Sequence, residues 1–350
     1  MTGRWRFRAP RGSDTVTEGA RPTFSVVIAA HNAVATIRGA VESALRQTLP
    51  PLEVIVFDDG STDDIAAALA AYRDRITYLQ RPHSGVASAR NAALEVSKGE
   101  FFAVLDADDA YLPDRLEALA ELAAERPDLD ILSTDLLLEI DGRPVATFGE
   151  TTPFAVADQR AAILERCFCA APAVRRATLA QVGGYDESLK TGSDWECAIR
   201  LIHSGAVAGL VDAPLYRYRI HARSLTADRI GTLGDRVRFL SRVGRSYELD
   251  KSSHAALARS LKRQRAALVL TEAELALRTN AADARARALA AARTRGIALP
   301  SRAEALVAAA FPHLGGRFLE RRAVRGDSRL VRSIARTTRA PSPAHPDDRD

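Results

Sequence analysis

The stretch FFAVLDADD, residues 101–109, decides how this chain is read: five apolar residues run straight into the carboxylates of Asp106 and Asp108. An apolar run of that length behind the turn at Lys98 and Gly99 predicts a buried strand. Carboxylates at the end of such a strand are costly unless something cationic meets them. A divalent ion carrying phosphate oxygens answers that need, because hard cations take oxygen ligands and leave positions open for substrate phosphates. The stretch therefore points to a nucleotide-using enzyme.

Working outward, the same pattern recurs. FSVVIAA (Phe24–Ala30) and LEVIVFDD (residues 52–59) are continuous apolar runs and predict two more buried strands, with ITYLQ (residues 76–80) a further one. Helical spacing follows each: residues 33–46 through Val34, Ile37, Val41 and Leu45, then a helix through Ile65 and Leu69, then Val86–Val96. Ser61 or Thr62 suits a helix cap, and Asp63 and Asp64 suit the first turn. Strands that are apolar throughout and alternate with helices predict an α/β fold, a mostly parallel sheet with helices on both faces. Ligands of such sheets bind beyond the carboxyl ends of the strands. Three of these ends carry polar groups: His31 and Asn32, Asp58 and Asp59, Asp106 and Asp108. Further on, residues 116–125 predict a helix and residues 130–140 one arm of a hairpin turning at Asp141 and Gly142. A helix near residues 161–166, a helix over 194–204 and short strands at 207–211 and 215–219 follow. Helices at 233–247, 254–278, 281–295 and 302–309 close the chain.

Composition excludes several classes. The formal net charge of +5 on 350 residues is mild, and the basic residues are nearly all arginine; a compositional bias toward Arg and Ala is the reading preferred to nucleic-acid binding, with an anionic lipid or polyanionic acceptor left open. Cys167, Cys169 and Cys197 have no metal-ligand spacing and no even pairing, as expected of buried thiols in a reducing compartment. No run reaches the ~18 apolar residues of a membrane span, and the basic N-terminus opens no apolar signal region. The expected location is the cytoplasm, with peripheral contact at the inner membrane face open through the amphipathic, arginine-bearing residues 254–270. Packing of that segment on the catalytic region or on a twin subunit is the more ordinary expectation. Four segments are expected: a disordered basic arm (1–20), a catalytic domain (21–228), a helical region (229–338) and a disordered tail (339–350).

Seven segments in order carry a resemblance: SVVIAAHN (25–32), VFDDGSTDD (56–64), GVASARNAAL (85–94), GEFFAVLDADD (99–109), VGGYDESL (182–189), SDWECAIRL (193–201) and YRYRIHARSL (216–225). Together they resemble the family 2 glycosyltransferases, inverting enzymes of GT-A fold that use nucleotide-diphosphate sugars. The resemblance implies a divalent metal, Mn2+ or Mg2+, coordinated mainly by Asp108, with Asp106 touching the nucleotide ribose or metal-bound water. It implies base recognition by Asp59, with Asp58 as the alternative, and a base cradle at Ala29 and His31. Here alanine stands where proline is common and histidine where tyrosine is common, so the base itself stays open, a uracil being the first expectation. Arg81 is a candidate nucleotide contact, and Arg90 is read as structural.

Asp194 matches the family's general base, although Ser193 replaces the acidic residue that usually precedes it. Helix capping by Asp194, or Glu196 in the acidic role, is the competing reading. Trp195 fits an acceptor platform or a buried anchor equally. Gly183 and Gly184 suggest close backbone approach to the donor sugar. His221 stands where the family often has a histidine reaching the metal or diphosphate. The resemblance implies a saccharide or lipid-linked hydroxyl acceptor in cell-surface polysaccharide or glycolipid synthesis, one sugar per encounter; a homodimer stays open. Competing functions are a sugar-nucleotide nucleotidyltransferase, disfavoured because residues 30–38 carry no Gly-rich basic loop, and a catalytically silent nucleotide-sugar-binding protein.

Overall fold

The computed structural model describes residues 21–221, 228–279 and 281–310. The arm expected over 1–20 and the tail expected over 339–350 lie outside the described residues. The chain runs β1 (Phe24–Ala30), α1 (Ile37–Leu45), β2 (Glu53–Asp59), α2 (Ile65–Ala68), β3 (Thr77–Arg81), α3 (Val86–Val96) and β4 (Phe101–Val104). It continues through β5 (Ala110–Tyr111), α4 (Arg115–Glu125), β6 (Ile131–Ile140), β7 (Arg143–Thr147), α5 (Phe148–Thr151), α6 (Gln159–Glu165), β8 (Ala173–Arg175) and α7 (Arg176–Gln181). Then come α8 (Ser193–His203), β9 (Ala208–Ile220), α9 (Arg229–Ser246), α10 (Lys251–Arg278), α11 (Ala284–Arg293) and α12 (Leu299–Ala310).

Among the described residues nine strands form one sheet in the order β3-β2-β1-β4-β8-β6-β9-β5, with β7 beside β6. The first four are parallel neighbours, as their apolar runs predict. Alternate residues of each run enter different cores. Val27, Ile55 and Phe57 face α3, α8 and α9 on one side, while Val26, Ile28, Val54 and Val56 face α1 and α4 on the other. That division is why these strands carry no polar face: both surfaces are covered. Antiparallel pairing enters with β8, which inserts between β4 and β6.

The two strands expected at 207–211 and 215–219 are one, β9, paired along the whole of β6. The Asp-Ala-Pro break at residues 212–214 does not end it. Register shifts on either side of Asp135 absorb the irregularity, and Pro214 sits at that shift.

Phe239, Leu240 and Val243 of α9 and Ala256 and Leu257 of α10 join the core that holds α8. The arginines of α10 that face α6 are engaged there: Arg259 pairs with Glu165 at 2.5 Å and Arg263 donates to the Glu165 carbonyl. Among the described residues no helix is long and apolar enough to cross a membrane.

Candidate active site

The carboxyl ends of β1, β2 and β3 meet in a short span. Asp58, buried, accepts hydrogen bonds from the Ser61 N–H (2.9 Å), the Tyr78 hydroxyl (2.6 Å) and the Gln80 amide (3.1 Å). It ties the turn after β2 to β3. Its neighbour Asp59, also buried, accepts from the Ser84 N–H (2.8 Å) and the Gly85 N–H (2.9 Å) at the entry to α3. Gly60 lies between turn and loop with φ +68°, and a Cβ there would run into the His83 backbone, so only glycine lets the two segments approach. His31 is exposed, and its Nδ1 lies 2.9 Å from the Asp59 carbonyl. Ala29 is half-buried against the core, and Arg81 holds its guanidinium over the Phe57 ring at 5.8 Å.

His83 was not singled out by the sequence reading, yet its ring stacks on His31 with centroids 4.2 Å apart, and its Nδ1 lies 2.8 Å from Asp59 Oδ2. Its signal was available: it follows β3 by two positions, at the same sheet edge as the other polar groups.

The loop after β4 is fixed from beneath. The Tyr216 hydroxyl donates to Asp109 Oδ2 at 2.8 Å and accepts from the Asp106 N–H at 3.2 Å. The Arg219 N–H donates to Asp109 Oδ1, and the Arg219 guanidinium to the Asp108 carbonyl. With Asp109 holding the loop inside, Asp106 and Asp108 are left partly open, their side chains 37% and 35% exposed. Asp106 accepts from Arg90 at 2.6 Å, and Asp108 meets His221 Nε2 at 2.8 Å. Arg90, buried, also stacks over Tyr185, which agrees with its structural reading.

Burial, and then the charge of Asp106, pushes the Asp109 carboxyl up to about 8. The folded chain therefore keeps that proton up to about pH 8, whereas an unfolded aspartate releases it near ~3.9. Its contribution to stability is full below about pH 4 and is lost as pH rises toward 8, at most ~1.4 kcal/mol per pH unit. Asp109→Asn removes the titration. In metal-free buffer, melting of D109N relative to the native sequence should shift in the variant's favour between pH 5 and pH 8; a constant difference would contradict this.

On α8, Asp194 lies in the first turn, where the helix dipole eases a negative charge. Gly192 (φ +73°) precedes the helix, and no side chain caps it, so Asp194 is not consumed as an N-cap. Glu196 turns elsewhere and forms an ion pair with Arg200 at 2.8 Å. Trp195 is the buried anchor: its Nε1 donates to the Ile163 carbonyl at 2.6 Å, and its ring meets Phe239 edge-on at 5.3 Å. Trp195→Ala should destabilise the fold by ~3–5 kcal/mol, and Trp195→Phe by less. Denaturant midpoints measure both. Gly184 faces the side chain of Asn91, which a Cβ at that position would strike; this accounts for the glycine without a donor sugar.

Two side chains lie within electrostatic reach of both the β4 loop and α8. Arg90 is held charged, against the cost of its burial, chiefly by Asp106 and also by Asp194. Burial raises the Tyr218 phenol well above its ordinary value, and the charges of Asp106, Asp109, Asp108 and Asp194 add to the effect.

A mixed sheet whose parallel half ends in gathered carboxylates is the architecture of GT-A glycosyltransferases. A model of the family described as "Glycosyl transferase family 2" matches residues 25–138. The succinoglycan biosynthesis protein ExoO of Rhizobium meliloti is 31% identical over 272 residues, 72% of this chain and 77% of that protein. Staphylococcus aureus TarS 1-349, solved with UDP-GlcNAc, superposes with a TM-score of 0.60 at 17% identity over 91% of this chain and 93% of that one. The mannosyltransferase PcManGT of Pyrobaculum calidifontis, solved with GDP-Man and Mn2+, gives 0.58 at 21% identity over 91% and 84%. The chain belongs to glycosyltransferase family 2 and is a glycosyltransferase.

Proposed function

We propose that this chain transfers a sugar, with inversion, from a nucleotide-diphosphate donor, a UDP-sugar first, to a hydroxyl acceptor in cell-surface polysaccharide or glycolipid synthesis. One observation carries the reading: Asp106 and Asp108 stand partly open after β4, and Arg90, hydrogen-bonded to Asp106 at 2.6 Å, stacks over Tyr185 in the segment that leads into α8, the helix that bears Asp194. The donor is assigned to the first pair and the base to that helix.

The base end of the donor is assigned to the edge formed by Ala29, His31, Asp58 and Asp59, with Arg81 outside it. A carboxylate there accepts from a uracil N–H. Asp59 Oδ2 already meets the Gly85 N–H and His83 Nδ1, and Oδ1 takes the Ser84 N–H, so a further lone pair of Oδ1 is the one assigned to such a contact. Asp106, bound to Arg90, is assigned to the ribose side.

The residues present fit a divalent ion: Asp108 and His221 bring a carboxylate oxygen and an imidazole nitrogen together at 2.8 Å, both side chains partly open. Asp108 and His221 would hold the ion, with Asp106 beside them. Held by these residues, Mn2+ or Mg2+ would supply positive charge against the departing diphosphate. Asp194 takes the acceptor's proton while the acceptor oxygen attacks the anomeric carbon from the face opposite the diphosphate. Arg90 keeps Asp106 in place. Support for nucleotide-sugar use comes from the solved neighbours, which carry UDP-GlcNAc in one case and GDP-Man with Mn2+ in the other. Support for polysaccharide synthesis comes from the succinoglycan protein. The cytoplasm, where nucleotide sugars are at hand, is the proposed location.

A donor panel read by thermal shift with Mn2+ tests this. One nucleotide-sugar should raise the melting temperature by mass action, and only with the ion present. Equal shifts without the ion, or none for any donor, would contradict the reading.

A further inference from the structure

We infer that His31, Asp59 and His83 form a second cation site, separate from Asp108, that takes a borderline transition-metal ion such as Zn2+ or Co2+. One ligand atom from each residue lies within 4.8 Å of the other two, the only such three-residue group among the described residues. The tautomers favour coordination. His31 Nδ1 lies 2.9 Å and His83 Nδ1 3.1 Å from the same Asp59 carbonyl oxygen, which can only accept. In the neutral rings these contacts place the proton on Nδ1 and the lone pair on Nε2. An imidazole oriented through Nδ1–H to a backbone carbonyl is the usual outer partner arrangement of a metal-ligating histidine.

The carboxylate supplies the anionic ligand. Asp59 is buried and fixed by the Ser84 and Gly85 N–H groups, so its position is set before any ion arrives. Both rings are exposed and stacked at 4.2 Å, free to turn by the small angle that closes a shell of ~2.0–2.2 Å bonds. Two contacts give way to the ion: the exposed Asn32 amide donates to His31 Nε2 at 3.1 Å, and His83 Nδ1 lies 2.8 Å from Asp59 Oδ2. Two imidazoles and one carboxylate leave open positions for water. They select zinc-like ions over Mg2+, which prefers oxygen ligands.

An ion there ties the ends of β1 and β2 to the loop after β3. It also covers the carboxylate assigned to the nucleotide base. Ion and donor then compete, making the site an inhibitory one. That consequence rests on the proposed donor orientation; ion binding itself does not.

The test is titration of metal-free protein with Co2+ alone, followed by visible absorption, on the native sequence, on Asp108→Asn, and on His31→Gln and His83→Gln each made in the Asp108→Asn background so that cobalt at Asp108 and His221 does not contribute. The native protein and D108N should both show nitrogen-ligated cobalt. Because removing even an outer partner of a metal ligand costs about 10–100-fold in affinity, H31Q and H83Q should each weaken binding by at least that. Exposed positions make loss of fold in these two variants improbable, and melting curves verify it. Disappearance of the signal in D108N, or its persistence in both histidine variants, overturns the site. UDP added without other metal should displace the cobalt. If cobalt binds as described but UDP leaves it in place, the inhibitory role is overturned while the site stands.

Discussion

Asp194→Asn is expected to lower transfer by about 10²–10⁴-fold, the range contributed by a positioned general base, while donor affinity stays nearly unchanged. The amide keeps the size and the helix position of the carboxylate but cannot take a proton. Asp194 sits on a turn held by the buried Trp195 rather than by its own hydrogen bonds, so the substitution leaves the scaffold in place. Steady-state transfer and calorimetric donor titration, side by side, separate the two effects. Equal loss of both would mean that Asp194 holds the donor and that the base lies elsewhere.

Asp108→Ala acts at the other end of the reaction. It removes the carboxylate that meets His221 at 2.8 Å, and with it the oxygen ligand around which the divalent site is built. Metal-dependent donor binding should disappear, and chelation of the native protein should reproduce the variant's behaviour. The fold should survive, because the bonds that tie the loop to β9 run through Asp109, Tyr216 and the Asp108 backbone carbonyl, all of which the substitution leaves in place. Ribose and base contacts alone should leave only weak, metal-independent nucleotide binding. Donor affinity unchanged by both the variant and chelation would remove the ion from the account.

The parallel half of the sheet was legible because its strands are buried on both faces and so read as unbroken apolar runs; β1 and α3 begin and end where their residues predict. The weaker parts share a cause. β8 has three residues and β5 two, too short for any periodicity, and both exist because long-range neighbours complete them. β9 reads as two strands because Pro214 interrupts it, yet the long β6 partner carries it across.

The site divides in the same way. Asp58, Asp59, Asp106 and Asp108 announce themselves by standing at strand ends. Asp109 looks like one more exposed acid in an acidic run, and nothing local reveals that Tyr216, more than a hundred positions later, buries it. Trp195 could be read as platform or anchor until the Ile163 carbonyl, on α6, settles the matter. His83 carries a fainter signal of the same kind, two positions beyond the end of β3, and the stacking on His31 gives it meaning. Pairings between segments remote in sequence are what the linear pattern does not carry.

The most direct measurement of the central claim is nucleoside-diphosphate release from the preferred nucleotide-sugar, followed with Mn2+, with chelator and in the Asp194→Asn protein. If one cleft holds both the donor and the base, release requires the ion, and water or acceptor attack slows sharply in the variant although the donor still binds. Release at the same rate in all three conditions would mean that the carboxylates of β4 and α8 do not work on one substrate.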